Sequence, residues 1–101
     1  MKLSIDTSDS KKTIVSIGEK IFERKNSDLK SQKLLELIDE ALKKENIKLT
    51  DISEIEVNLG PGSFTGLRIG VSTANALSWA LKIPVNGKSI GQLVVPTYEE
   101  K

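Results

Sequence analysis

Two stretches of this sequence carry residue types suited to phosphate chemistry. Residues 58–70 read NLGPGSFTGLRIG, with four glycines and two hydroxyl residues between an apolar run and a long uncharged segment. Phosphate cradles at a strand-to-helix turn have defined spacings. A Walker loop needs lysine directly after its last glycine, and Gly66 is followed by Leu67. A dinucleotide fingerprint needs a third glycine where Thr65 stands and an acidic residue about 20 positions on, which is absent. Two readings remain: a weak anion site at a helix N-terminus near Ser63 and Thr65, or a sharp turn that needs glycine for its backbone angles. The second stretch, Asp6-Thr7-Ser8, sets one carboxylate beside two hydroxyls. It is either a vestigial phosphate site or a turn capped by its own side chains.

The remaining composition narrows the chemistry. The 101 residues include no cysteine and no histidine. That removes disulfides, thiolate or imidazole zinc sites, a cysteine nucleophile and every histidine-based acid/base scheme. The commonest catalytic parts are therefore absent. The net charge is +1, so RNA contact has to come from a local patch or through a partner. The N-terminus lacks a signal-peptide core and no segment approaches the roughly 20 apolar residues of a membrane span. A cytoplasmic protein without membrane contact is expected.

The elements that position these stretches follow from periodicity. Residues 2–6 (KLSID), TIVSIG and KIFERK alternate at period two, joined at Asp9-Ser10 and Gly18-Glu19, which predicts an antiparallel meander of three strands. From about Leu29 to Glu45 the period changes: Leu34, Leu37, Ile38, Ala41 and Leu42 form the stripe of an amphipathic helix, with Ser27 or Asp28 as N-cap. Glu36, Asp39, Glu40 and Glu45 fall on its solvated side. Ile55 to Leu59 alternates as a fourth strand, Gly66 to Leu81 forms a second helix closed by Ile83-Pro84, and Pro84 to Gly87 reads as a short fifth strand. The last stretch, SIGQLVVPTYEEK, carries Gly91 and Pro96 and allows one or two helical turns at most. The fold class is therefore α/β: one ribonuclease H-like lobe, half of the actin-like ATPase plan, with a mixed five-stranded sheet and two main helices. In actin-like ATPases the turn after strand one faces nucleotide phosphates and metal, which keeps a residual nucleotide-binding or ATPase lobe using Asp6 and the glycine loop as an alternative. That is an analogy of fold.

The second helix carries a different signal. Ile69 to Leu81 holds thirteen residues without a charge, although 29% of the chain is charged. Leu67, Val71, Ala74, Leu77 and Leu81 suffice to cover a sheet, yet the other sides offer Ile69, Ser72, Thr73, Ala76, Trp79 and Ala80. Gly62, Gly66 and Gly70 recur every fourth residue, so another backbone can come close there. Both faces are used inside the domain, or one meets another molecule. Leu35, off the stripe of the first helix, widens its apolar arc in the same sense.

IDTS near the N-terminus, GPGSFTGLRIG with a following small-residue helix, and IPV-x-G-x-S resemble the bacterial TsaB family, formerly YeaZ, in the same order and spacing over essentially the whole chain. The resemblance implies a non-catalytic subunit in the synthesis of N6-threonylcarbamoyladenosine at tRNA position 37, not an enzyme, with no catalytic residue, metal site or cofactor of its own. In that family TsaB supports its paralogue TsaD, which transfers the threonylcarbamoyl group, and the ATPase TsaE joins the complex. It implies a partner surface made by the two helices, with homodimer formation through the same surface and tRNA contact only through the complex. Carried onto this sequence, the interface positions are Leu34, Leu35, Ile38 and Leu42 with Ser63, Phe64, Thr65, Leu67, Arg68, Val71, Ser72, Asn75 and Trp79. The sequence departs from the family at Leu29-Lys30-Ser31-Gln32-Lys33, where a histidine is usual, and at Lys101, where a second lobe is expected to follow. Residues 1–101 thus correspond to the family's N-terminal lobe alone, and the apolar LVVP is expected to pack on the missing lobe or to drive association.

Overall fold

The structure is a computed structural model and describes residues 1–25 and 30–96. Strands β1 (Lys2–Asp6), β2 (Lys12–Ile17) and β3 (Lys20–Lys25) form the expected meander, followed by α1 (Ser31–Lys44), a short 3-10 turn at Leu49–Asp51, β4 (Glu54–Val57) and α2 (Phe64–Leu81). The sheet order is β3-β2-β1-β4. The meander pairs are antiparallel and β4 joins β1 in parallel, with Leu3 opposite Ile55 and Ile5 opposite Val57. The α1 crossover makes that parallel pairing possible.

Side-chain alternation gives the sheet one dry face. Leu3, Ile5, Thr13, Val15, Ile17, Ile55 and Val57 are buried under the helices. Lys2, Ser4, Asp6, Lys12, Ile14 and Ser16 alternate with them on the opposite, wetter face. Helix α1 lies over β2 and β3, and α2 over β4 and β1. From α1 the core takes Leu34, Leu37, Ile38, Ala41 and Leu42, and from α2 Leu67, Val71 and Ala74. Lys43 and Lys44 close the last turn of α1, where positive charge is favoured. Ser63 caps α2, its Oγ accepting from the Gly66 amide at 3.2 Å. The expected caps of α1, Ser27 and Asp28, lie outside the described residues.

The fifth strand does not form. Beyond β4 a single parallel bridge joins Ile55 to Val85, with Ile55 N donating to Pro84 O at 3.0 Å and Asn86 N donating to Ile55 O at 2.8 Å. The next pair of ladder bonds is made by a side chain: Asn86 Oδ1 accepts from Val57 N at 2.7 Å, and its Nδ2 donates to Val57 O at 3.0 Å. Asn86 and Gly87 have φ of 50° and 73°, so the backbone turns away after one bridge. Asn-Gly is a turn dipeptide, and that preference overrides the apolar Pro84-Val85 start. The sheet therefore has four strands.

Candidate functional site

The turn after β1 and the start of α2 are locked together. Thr7 is fully buried, and its hydroxyl donates to Gly66 O at 2.6 Å. Ser63 N donates to Ser8 O at 2.7 Å. A Cβ added at Gly70 would lie 2.1 Å from Thr7 Oγ1, one at Gly66 2.2 Å from Thr7 O, and one at Gly62 2.5 Å from Ser8 O. The three glycines at fourfold spacing thus admit this chain's own β1 end, and the close-packed surface expected there is internal. The intermolecular reading of the glycines is corrected, because the backbone that comes close belongs to Thr7 and Ser8.

The same geometry occupies the groups of Asp6-Thr7-Ser8, which form the side-chain-capped turn rather than an open phosphate site. Asp6 Oδ1 accepts from Ser8 N at 3.0 Å and from Ser8 Oγ at 2.6 Å, an Asx turn. Asn58 Nδ2 donates to Ser8 Oγ at 3.2 Å. Partial burial pushes the Asp6 carboxyl upward. The Ser8 hydroxyl and amide, the Asn58 amide and the charge of Lys12 outweigh burial, and the carboxyl ends below the ordinary carboxylate range. Asp6, Ser4, Ser16, Glu56, Asn58 and Asn86 line an open cavity of about 730 Å³ on the wetter face of the sheet, whereas Thr7 points the other way. Among the described residues no three side chains of the His, Cys, Asp or Glu type gather to hold a metal ion. None of the described helices is long and apolar enough to cross a membrane.

The helix positions divide sharply. Leu34, Ile38, Leu42, Leu67 and Val71 are buried and serve this domain's own core. Phe64, Thr65, Arg68, Ser72, Ala76 and Trp79 are exposed, one continuous face of α2 at three- and four-residue steps. Trp79 is 72% exposed and Phe64 56%, which is unusual for side chains of this size. The Arg68 guanidinium sits 5.5 Å from the Phe64 ring centroid, covering part of it. On α1, Leu35 is 47% exposed at the rim of a groove of about 480 Å³. Ile38, Leu42, Ile47, Leu49 and Leu77 form its apolar floor, and Asp39, Lys43 and Lys48 edge it. Ser63 is the helix cap, and Asn75 is half-buried with both ends of its amide bonded to Val94. Sequence periodicity had no means of finding that last contact, because Val94 lies 19 residues away.

A family model described as "TsaD: tRNA N6-adenosine threonylcarbamoyltransferase" matches residues 11–90. The chain is 34% identical over 90 residues to the tRNA threonylcarbamoyladenosine biosynthesis protein TsaB of Buchnera aphidicola subsp. Schizaphis graminum, covering 86% of this chain and 43% of that protein. It is 41% identical over 64 residues to the tRNA N6-adenosine threonylcarbamoyltransferase of Geotalea uraniireducens, covering 59% of this chain and 19% of that enzyme. Among solved structures, YeaZ from Pseudomonas aeruginosa superposes with a TM-score of 0.70 at 27% identity, covering 87% of this chain and 43% of that one. The chain therefore spans less than half the length of these relatives.

Proposed function

Because this chain belongs to the family described as TsaD, tRNA N6-adenosine threonylcarbamoyltransferase, and within it resembles the TsaB (YeaZ) proteins, we propose that it is a docking subunit in tRNA N6-threonylcarbamoyladenosine biosynthesis. Its partner in this reading is the organism's own TsaD, a paralogue, with TsaE and tRNA reached through the complex. The observation that carries the proposal is the outer face of α2. Thirteen consecutive residues without charge leave Ser72, Ala76 and Trp79 in water, while Leu67, Val71 and Ala74 on the other side of α2 are buried in the domain's core. An exposed aromatic in an uncharged patch is the usual anchor of a protein interface. On α1, Leu35 is exposed at the rim of a separate apolar groove, whose lining from α2 is Leu77.

The residual nucleotide-binding reading has less support. Thr7 donates its hydroxyl inward to Gly66, and Asp6 already accepts twice from Ser8. Saturable binding of magnesium-ATP by calorimetry, lost in Asp6→Ala, would reinstate it. The docking reading is tested by size-exclusion chromatography of the chain mixed with TsaD. Co-elution that is lost in both Trp79→Ala and Ala76→Arg is expected, and a complex unaffected by the pair of changes defeats the proposal. The same column run on the chain alone separates docking on TsaD from self-pairing through the same face. A tRNA modification assay with TsaD and TsaE, with and without this chain, then tests the pathway.

A further inference from the structure

The chain beyond α2 comes back to it. After the turn closed by Gln92 N donating to Ser89 O at 3.0 Å, with Gly91 at a φ of 92°, residues 93–96 pass alongside the helix. One side chain holds them. Asn75 Nδ2 donates to Val94 O at 2.8 Å, and Asn75 Oδ1 accepts from Val94 N at 3.0 Å, so a side-chain amide pairs with a peptide as another strand would. Val94 is 3% exposed and joins the apolar core, whereas its neighbours Leu93 and Val95 face water at 62% and 73%. A cavity of about 290 Å³ separates this strap from Arg68, Val71 and Ser72 on α2.

Arg68 and Ser72 therefore border two things at once, the exposed face of α2 and the bed of the strap. We propose that residues 93–96 are a latch that occupies part of the α2 face when closed and opens when a protein partner docks there. The proposal rests on the docking reading above and adds to it a closed state that competes with the partner. Among the described residues its hold is small: two hydrogen bonds from one side chain and one buried valine, with apolar neighbours already in water. Segments held by so few contacts open locally without unfolding the domain. When the docking-competent state is only a fraction of the population, apparent affinity falls by that fraction, so a latch closed in about nine molecules of ten weakens docking about tenfold.

The test compares the full chain with Asn75→Ala and Val94→Asp for binding to the organism's own threonylcarbamoyltransferase, with amide hydrogen exchange at Val94 in the free and bound states. Asn75→Ala places a helix-favouring residue at a half-buried helix position outside the apolar core, so the fold survives even if Val94→Asp disturbs the core. The latch predicts a Val94 amide protected in the free chain and exchanging freely in the complex, with affinity about tenfold tighter in the opened variants. Binding by the opened variants alone, with none by the native chain, supports the latch more strongly still. If both variants bind as the native chain does and the Val94 amide stays protected in the complex, the latch is overturned while docking stands. If neither the native chain nor the variants bind the enzyme, the docking reading falls and the latch falls with it.

Discussion

Replacing Gly70 by alanine reverses the sign expected of a helix. An exposed helical glycine changed to alanine gains about 1 kcal/mol from propensity alone. Here the new methyl would stand 2.1 Å from Thr7 Oγ1 and 3.3 Å from Thr7 Cβ and Cγ2, in a site with no solvent. Overpacking of this kind costs about 1–3 kcal/mol, and displacing the Thr7 hydroxyl from Gly66 O strands a buried polar group for about 1–3 kcal/mol more. After the propensity gain the net loss is about 1–5 kcal/mol, a large part of the roughly 5–15 kcal/mol that holds a domain folded. Urea denaturation followed by far-UV circular dichroism reads it, at a slope of about 2 kcal/mol per M, as a midpoint lower by roughly 0.5–2.5 M. Trp79 fluorescence is a poor probe here, since the ring is 72% exposed in the folded state. Thr7→Ala removes Oγ1, the atom that collides most severely, and Cγ2 while keeping Cβ, so Thr7→Ala with Gly70→Ala should cost less than the two changes summed by about 1 kcal/mol or more. A stabilised Gly70→Ala, or strictly additive costs, would refute the internal role assigned to the glycine spacing.

Ala76→Arg, on the exposed face of α2, should leave the unfolding free energy within about 0.5 kcal/mol of native while removing partner binding. Val71→Glu, at a residue 3% exposed, should instead unfold the domain, visible as loss of the circular dichroism signal at neutral pH, because a carboxylate is forced into the core. Asn86→Ala leaves Val57 N–H and C=O without their side-chain partner and should cost about 2–3 kcal/mol in the same melt, with faster hydrogen exchange at Val57. The Asp6 carboxyl is held below its ordinary range, so its stabilisation is complete above the unfolded value near pH 4 and is lost as pH falls through the lower folded value. Stability measured from pH 6 to pH 2 should therefore fall less steeply below about pH 4 in Asp6→Asn, and an unchanged acid limb would contradict the network around Ser8.

Local pattern was readable where local pattern decides the structure. The meander was visible because KLSID, TIVSIG and KIFERK alternate and their joints are short turns, and the two helices because their apolar stripes keep helical period. The fifth strand misled for a local reason as well: Pro84-Val85 has strand character, but Asn86-Gly87 turns the chain and the asparagine side chain finishes the ladder. Two contacts across the chain had no signature. Thr7 meets Gly66 and Gly70 across some sixty residues, so the glycine spacing announced a close approach without saying to what. Asn75 reads as one more polar residue on an uncharged helix until Val94 is seen on it. For the candidate site, sequence marked α2 and the absence of charge, and burial then divided the marked positions: Leu34, Ile38, Leu42, Leu67 and Val71 face inward, while Leu35, Phe64, Thr65, Arg68, Ser72 and Trp79 face water.

The central claim is that the water-facing side of α2 is where a partner binds. Trp79 is the single tryptophan of the chain and stands on that face, so it reports on docking directly. With 5-fluorotryptophan incorporated into this chain only, the fluorine spectrum holds one protein resonance, to be followed during titration with the organism's own threonylcarbamoyltransferase. Docking through α2 predicts that this resonance shifts saturably and becomes insensitive to soluble quenchers or paramagnetic agents, and that Ala76→Arg abolishes both changes. A complex that forms by mass while the resonance and its accessibility stay as in the free chain would contradict the account.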